Sequence, residues 1–151
     1  MTSPAPDAPT GAAPAPFHPV LLGTDQGIYA LARAFHESYG VRSTIVARAV
    51  TGGIAWSRIA DVIELSPDGG REEVITTLLA QGRMLREQDP EVPLLLLCNA
   101  DSHAQLFAEH AEKLGELFVF LQPVLEGPRI VIRTRLVGGS DAKSGALNKL
   151  F

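Results

Sequence analysis

Between Phe17 and Gly40 the sequence passes from a short apolar stretch, Pro19-Val20-Leu21-Leu22, through two glycines four residues apart, Gly23 and Gly27, into a stripe of Ile28, Leu31, Ala32 and Phe35. An apolar run this short, stopped by glycine, is a strand, and apolar residues recurring at i, i+3, i+4 and i+7 form the inner face of a helix. A strand feeding a helix through a glycine-bracketed turn sets that helix against a sheet, which is how an α/β nucleotide-type domain opens. Gly40 ends the helix as a C′ glycine.

The alternation then repeats. Ser43 to Ala47 is a β-branched strand, Thr51-Gly52-Gly53 opens a loop carrying Trp56, and Asp61 to Leu65 is a third strand. Ser66-Pro67-Asp68-Gly69-Gly70 turns the chain into a helix from Glu72 to about Gln88, whose first turn is acidic where the helix dipole favours negative charge. Pro93 to Cys98 is almost wholly apolar, as expected of a central parallel strand covered on both faces. Asp101 is expected to cap a third helix reaching about Leu114, and Leu117 to Phe120 reads as another strand. Parallel neighbours need long crossover connections, so the pattern predicts an α/β fold with a mainly parallel sheet between helical layers. Trp56 is either a core anchor, the preferred reading, or a lid aromatic, and Ile130 to Val137 is read as one more strand.

Length and charge bound the alternatives. A chain of 151 residues supports one core. Residues 1–16 hold five of the eleven prolines among small residues, the composition of a disordered leader. Residues 17–120 form the body, and 121–151 an atypical tail. The net charge of −4 is uneven: residues 1–120 carry 8 Lys/Arg against 15 Asp/Glu, residues 121–151 carry 5 against 2. An acidic body has no footprint for nucleic acid. The single cysteine, Cys98, lies in an apolar run, and neither a secretory signal nor a membrane-length apolar stretch is visible, so a cytoplasmic protein is expected. Homodimerisation is left open.

The candidate site lies at the turns after the strands. Gly23-x-x-x-Gly27 lacks the central glycine of the dinucleotide fingerprint, and no acidic residue follows at the ribose position, since the second strand ends in Val46-Ala47-Arg48. Arg48 could meet a 2′-phosphate, which keeps a small NAD(P)-linked oxidoreductase as an alternative. The two glycines could equally serve only the turn, or a polar substrate could lie over it, drawn to the exposed amides of a helix N-terminus. Gly23, Thr24, Asp25, Gln26, Asn99 and Asp101 share the carboxyl edge of the sheet, where open α/β sheets bind ligands, and are taken as substrate-binding. Asp25 and Asp101 also fit as plain helix caps, and Asn99 as a turn former. Histidines 18, 36, 103 and 110 form no metal pattern, Ser102-His103 beside Asp101 lacks a nucleophile elbow, and Gly139 to Gly145 lacks phosphate-loop spacing. No catalytic or metal residue is assigned.

Three pieces, Val20-Leu21-Leu22-Gly23-Thr24-Asp25, the helix Tyr29 to Ser43 and the strand end Leu97-Cys98-Asn99-Ala100-Asp101, together resemble the start of ATP-grasp carboxylate-amine ligases, the group that includes D-aspartate ligase and carbamoyl-phosphate-synthase-like proteins. The resemblance covers roughly residues 17–120. It implies a Rossmann-like, three-layer α/β/α domain of pre-ATP-grasp type, on the substrate side of an enzyme that activates a carboxylate with ATP and Mg²⁺ and joins it to an amine. ATP and Mg²⁺ are expected only in domains that follow, and a small carboxylate or amine is the expected ligand. After Phe120 the sequence departs from the family, which implies a truncated or frameshifted ligase or an isolated domain. A free-standing binding module is the alternative.

Overall fold

The computed structural model describes residues 15–126 and 129–134. The expected leader up to Pro14 and the linker-like Gly138 to Phe151 lie outside them. Six strands, β1 (His18–Leu22), β2 (Ser43–Arg48), β3 (Ala60–Leu65), β4 (Leu94–Cys98), β5 (Phe118–Glu126) and β6 (Arg129–Thr134), form one sheet in the order β3-β2-β1-β4-β5-β6. The first five are parallel, and β6 pairs antiparallel with β5. Helices α1 (Gln26–Tyr39) and α2 (Gly52–Ala55) connect β1 to β2 and β2 to β3; α3 (Arg71–Gln88) connects β3 to β4; α4 (Asp101–Glu109) and α5 (Ala111–Gly115) connect β4 to β5. The fold is a Rossmann-like three-layer α/β/α domain.

Strand residues alternate between two cores, as the pleat requires. Leu21, Ile45, Ala47 and Ala60 pack under Ile28 and Ala32 of α1 and Ile54 of α2. On the opposite face Val20, Leu22, Val46, Leu94 and Leu96 meet Val74, Ile75 and Leu78 of α3, Leu106 and Phe107 of α4, and Leu114 of α5. Leu31 and Phe35 complete the α1 stripe at its half-buried margin. Phe17 fixes the entry to β1 by edge-to-face contacts with Phe35 and Tyr39, ring centroids 5.4 and 5.2 Å apart. Gly40 adopts φ 66° after the last turn of α1, and its amide donates to the His36 carbonyl.

Two expectations need correction. The single helix from Asp101 to Leu114 is two, because the backbone at His110 (φ −111°, ψ 21°) leaves the helical region before α5 restarts. The apolar stripe of Phe107, Ala111 and Leu114 continues across this break, so periodicity carries no sign of it. Trp56 is 88% exposed rather than a core anchor. The single turn of α2 buries Ile54 and brings Gly53 against the Tyr29 ring, which leaves Trp56, at the C-cap, turned to solvent.

Gly82, in mid-α3, has a packing reason that the helical pattern hides. A Cβ there would stand 2.7 Å from the ring of Phe118, itself 1% exposed, and 3.1 Å from Leu117. Alanine ordinarily stabilises a helix by about 1 kcal/mol over glycine, whereas overpacking costs about 1–3 kcal/mol. Gly82→Ala is therefore expected to lower stability by about 1 kcal/mol in urea unfolding; a gain would mean that Phe118 gives way freely.

Candidate functional site at the carboxyl edge

Because β4 returns beside β1 and not beside β3, the loops after β1 and β4 diverge to opposite faces, and this is where a doubly wound sheet opens a crevice. Gly23 follows β1 with φ 146°, its amide donating to the Val46 carbonyl at 3.1 Å. Asp25 is the N-cap of α1 and accepts from the Ile28 amide at 3.0 Å. From the far side of the switch, Asn99 Nδ2 donates to both oxygens of the Asp25 carboxylate at 2.7 and 2.6 Å. The Ile28 amide and Asn99 together hold this carboxyl below its ordinary range.

This contact explains Gly27, and the Ile28 side chain beside it, with the positive φ, explains Gly23. A Cβ on Gly27 would lie 2.8 Å from Asn99 Nδ2 and 3.1 Å from Asp25 Oδ1; one on Gly23 would meet the Ile28 side chain at 2.7 Å and Asn99 Oδ1 at 3.2 Å. Gly23, Thr24, Asp25 and Asn99 thus come together. Gln26 is exposed in the first turn of α1. Asp101 does not cap α4: Ala100 holds the N-cap position without a side-chain bond, and Asp101 is the exposed first helical residue.

Beside this contact, over the ends of β1, β2 and β3 on the α3/α4 face, is a cavity of about 560 Å³. Its floor is apolar, built from Leu22, Val46, Leu65, Val74 and Leu106. Its rim is polar, with Thr24, Arg48, Arg71, Ser102 and His103. Ala49, also on the wall, takes φ 56°, a left-handed conformation that costs a non-glycine residue about 1–2 kcal/mol. Gly69 and Gly70 lead into α3, and any Cβ on Gly69 would collide with the Glu73 carboxylate. That carboxylate reaches back to accept from Ser66 N at 3.0 Å and Ser66 Oγ at 2.6 Å. Arg48 donates to the Ser66 carbonyl and stands 3.5 Å from Glu73 Oε2; Arg71 pairs with Glu109 at 2.7 Å. The Ser66 bonds are the main reason that the Glu73 carboxyl is held low. Burial pushes His103 down, so it is neutral at pH 7, and its Nδ1 is buried without a hydrogen-bond partner.

Of the expected site residues, Gly23 and Thr24 line the cavity, while Asp25, Gln26, Asn99 and Asp101 do not. Sequence reasoning set Ser102-His103 aside as a triad and treated Ser66 to Gly70 only as a turn. The available signal was the rule already applied to β1 and β4, because the loop after β3 lies on the same carboxyl edge. No group of three or more His, Cys, Asp or Glu that could hold a metal occurs among the described residues, and no helix among them is long and apolar enough to cross a membrane.

Fold and site together define a Rossmann-like α/β domain with an arginine-rimmed cavity at its carboxyl edge. Over 103 residues, 68% of this chain, the sequence is 30% identical to D-aspartate ligase of Enterococcus faecium (strain Aus0004), a stretch equal to 24% of that protein. The chain therefore spans about a quarter of the relative that it matches, and the similarity to a ligase is distant. No family model and no solved structure matches the chain.

His18 and His103 both have pKa values lowered by burial from the ordinary 6.5. Each therefore takes up its proton more readily in the unfolded chain, and the stability this confers is complete above 6.5 and is lost as the pH falls towards the folded values. Thermal midpoints are expected to decline on acidification from neutrality, and less so in His18→Gln, which can still bond the Thr44 hydroxyl now held by His18 Nε2 at 2.8 Å. An identical decline in the variant would exclude His18 as a contributor.

Proposed function

We propose that this chain is the N-terminal, substrate-side domain of an ATP-dependent carboxylate–amine ligase of the ATP-grasp type, and that it turns over no ATP alone. The similarity to D-aspartate ligase, which covers 103 residues or 68% of this chain, carries the reading. The site chemistry agrees with it. The switch point presents a carboxylate held by an amide, and the adjoining cavity presents two guanidinium groups, so groups of opposite charge are arrayed along one edge, suited to a small carboxylate or amine. In this reading Gly23 and Thr24 shape the substrate wall, Asp25 and Asn99 fix it, and Gln26 and Asp101 border it. ATP and Mg²⁺ are held by residues outside this domain.

The oxidoreductase alternative fares worse, because Asn99 and Asp25 fill the space over Gly27 that a pyrophosphate would approach. An interaction module is favoured by one observation, the exposed Trp56 beside the edge strand β3. The experiment that tests the ligase reading is turnover. The 151-residue chain is expected to release no ADP with D- or L-amino acids and Mg²⁺, and to give no ATP binding heat in calorimetry; ATP-dependent ligation by this chain alone would overturn it.

A further inference from the structure

We propose that the cavity over the ends of β1, β2 and β3 binds a small molecule carrying an anionic head, carboxylate or phosphate, on an apolar body. The head meets Arg48, Arg71 and the N-termini of α3 and α4, and the body rests on the Leu22, Val46, Leu65, Val74 and Leu106 floor. The inference concerns the same edge on which the ligase reading places its substrate, but it rests on the cavity lining, and its test, run without ATP, can fail while that reading stands.

The lining carries the argument. The first 120 residues hold nearly twice as many acids as bases, yet two of their 8 Lys/Arg border this cavity and no Asp or Glu does among the described residues. Two guanidinium groups thus converge on one concave place, each with its carboxylate partner, Glu73 or Glu109, set outside the lining. The volume falls within the roughly 300–1,000 Å³ of small-molecule pockets, and an apolar floor with a few convergent polar groups is their usual construction.

The partners already present leave room for a ligand. Arg48 is fixed by the Ser66 carbonyl, and its contact with Glu73 is loose at 3.5 Å. Glu73 is instead engaged by Ser66, so Arg48 is oriented without being consumed. Arg71 pairs with Glu109 at an exposed position, where an ion pair is worth little and exchanges readily. Gly70 and Ala100, the N-cap residues of α3 and α4, provide no side-chain acceptor to the first-turn amides, in contrast to Asp25 on α1. The His103 ring, its pKa lowered by burial, completes the same wall.

The test is a titration of the 151-residue chain with benzoate, phenyl phosphate and neutral benzamide, without ATP, followed by backbone amide NMR. At least one anion is expected to saturate, with shifts centred on Gly69 to Arg71 and Ser102 to His103, and benzamide is not. The two anions distinguish a carboxylate head from a phosphate head. Arg71→Gln, at an exposed position, should weaken binding about tenfold, the loss of one charge-assisted hydrogen bond. Ser102→Asp, a substitution that suits the first turn of a helix, should weaken it further by placing a carboxylate on the rim. The proposal is overturned if neither anion saturates by about 10 mM, if benzamide binds as well as the anions, or if both variants, folded by their amide spectra, bind unchanged.

Discussion

The rest of the structure depends on one constraint, the right-handedness of crossovers between parallel strands. From β1 through β2 to β3 the chain steps in one direction, and α1 and α2 fall on one face. Then β4 pairs with β1, the direction reverses, and the same handedness puts α3, α4 and α5 on the other face. The alternation of Val20, Leu21 and Leu22 between the two cores is the local expression of this arrangement, because β1, like β2, is covered by both helical layers. The reversal also drives apart the loops after β1 and β4, and both polar features of the carboxyl edge flank that gap.

At the gap, packing and polarity are solved together. The Asn99 amide crosses from the β4 loop to the Asp25 carboxylate, which in turn closes the first turn of α1. Such an approach leaves no space for a side chain at position 27, and Ile28 leaves none at position 23. The pair of glycines that suggests a phosphate cradle in the sequence is, in the folded chain, the clearance for Asn99 and Ile28. A protein carboxylate already sits at the positive end of α1, so a ligand anion placed there would face like charge at a site whose amide is already engaged.

Much of the fold was legible because it rests on short-range pattern. Residues β1, β2 and β4 announce themselves by apolar runs, α1 by its stripe and by Gly40, and α3 by its acidic first turn. What escaped depends on tertiary contact. The break at His110 involves no glycine or proline, and the Gly82 position is dictated by Phe118, 36 residues later. Trp56 was misplaced because a lone tryptophan in an ordinary composition suggests burial, whereas the single turn of α2 offers the core only Ile54. Of the candidate site, the edge rule pointed to Gly23 and Thr24, which border the cavity, and to Asp25 and Asn99, which meet each other beside it. Arg71, at the start of α3, and His103 are separated by 32 residues and meet around one cavity only through the sheet order.

That sheet order also decides which helix ends are available to a ligand. All the connections leave from the same edge, so α1, α3 and α4 each bring their N-termini to it. Only α1 is closed by its own side chain; α3 begins at Gly70, and α4 follows Ala100, neither of which has an acceptor to offer. Glu73 lies in the first turn of α3, but its carboxylate is drawn to Ser66 beside Gly69, where a side chain on that glycine would block it. The consequence is a division of labour along the edge. Acidity is spent at the β1/β4 switch and under the Ser66 loop, and the cavity beside them keeps its arginines on the rim, its helix ends without a side-chain cap and its floor apolar.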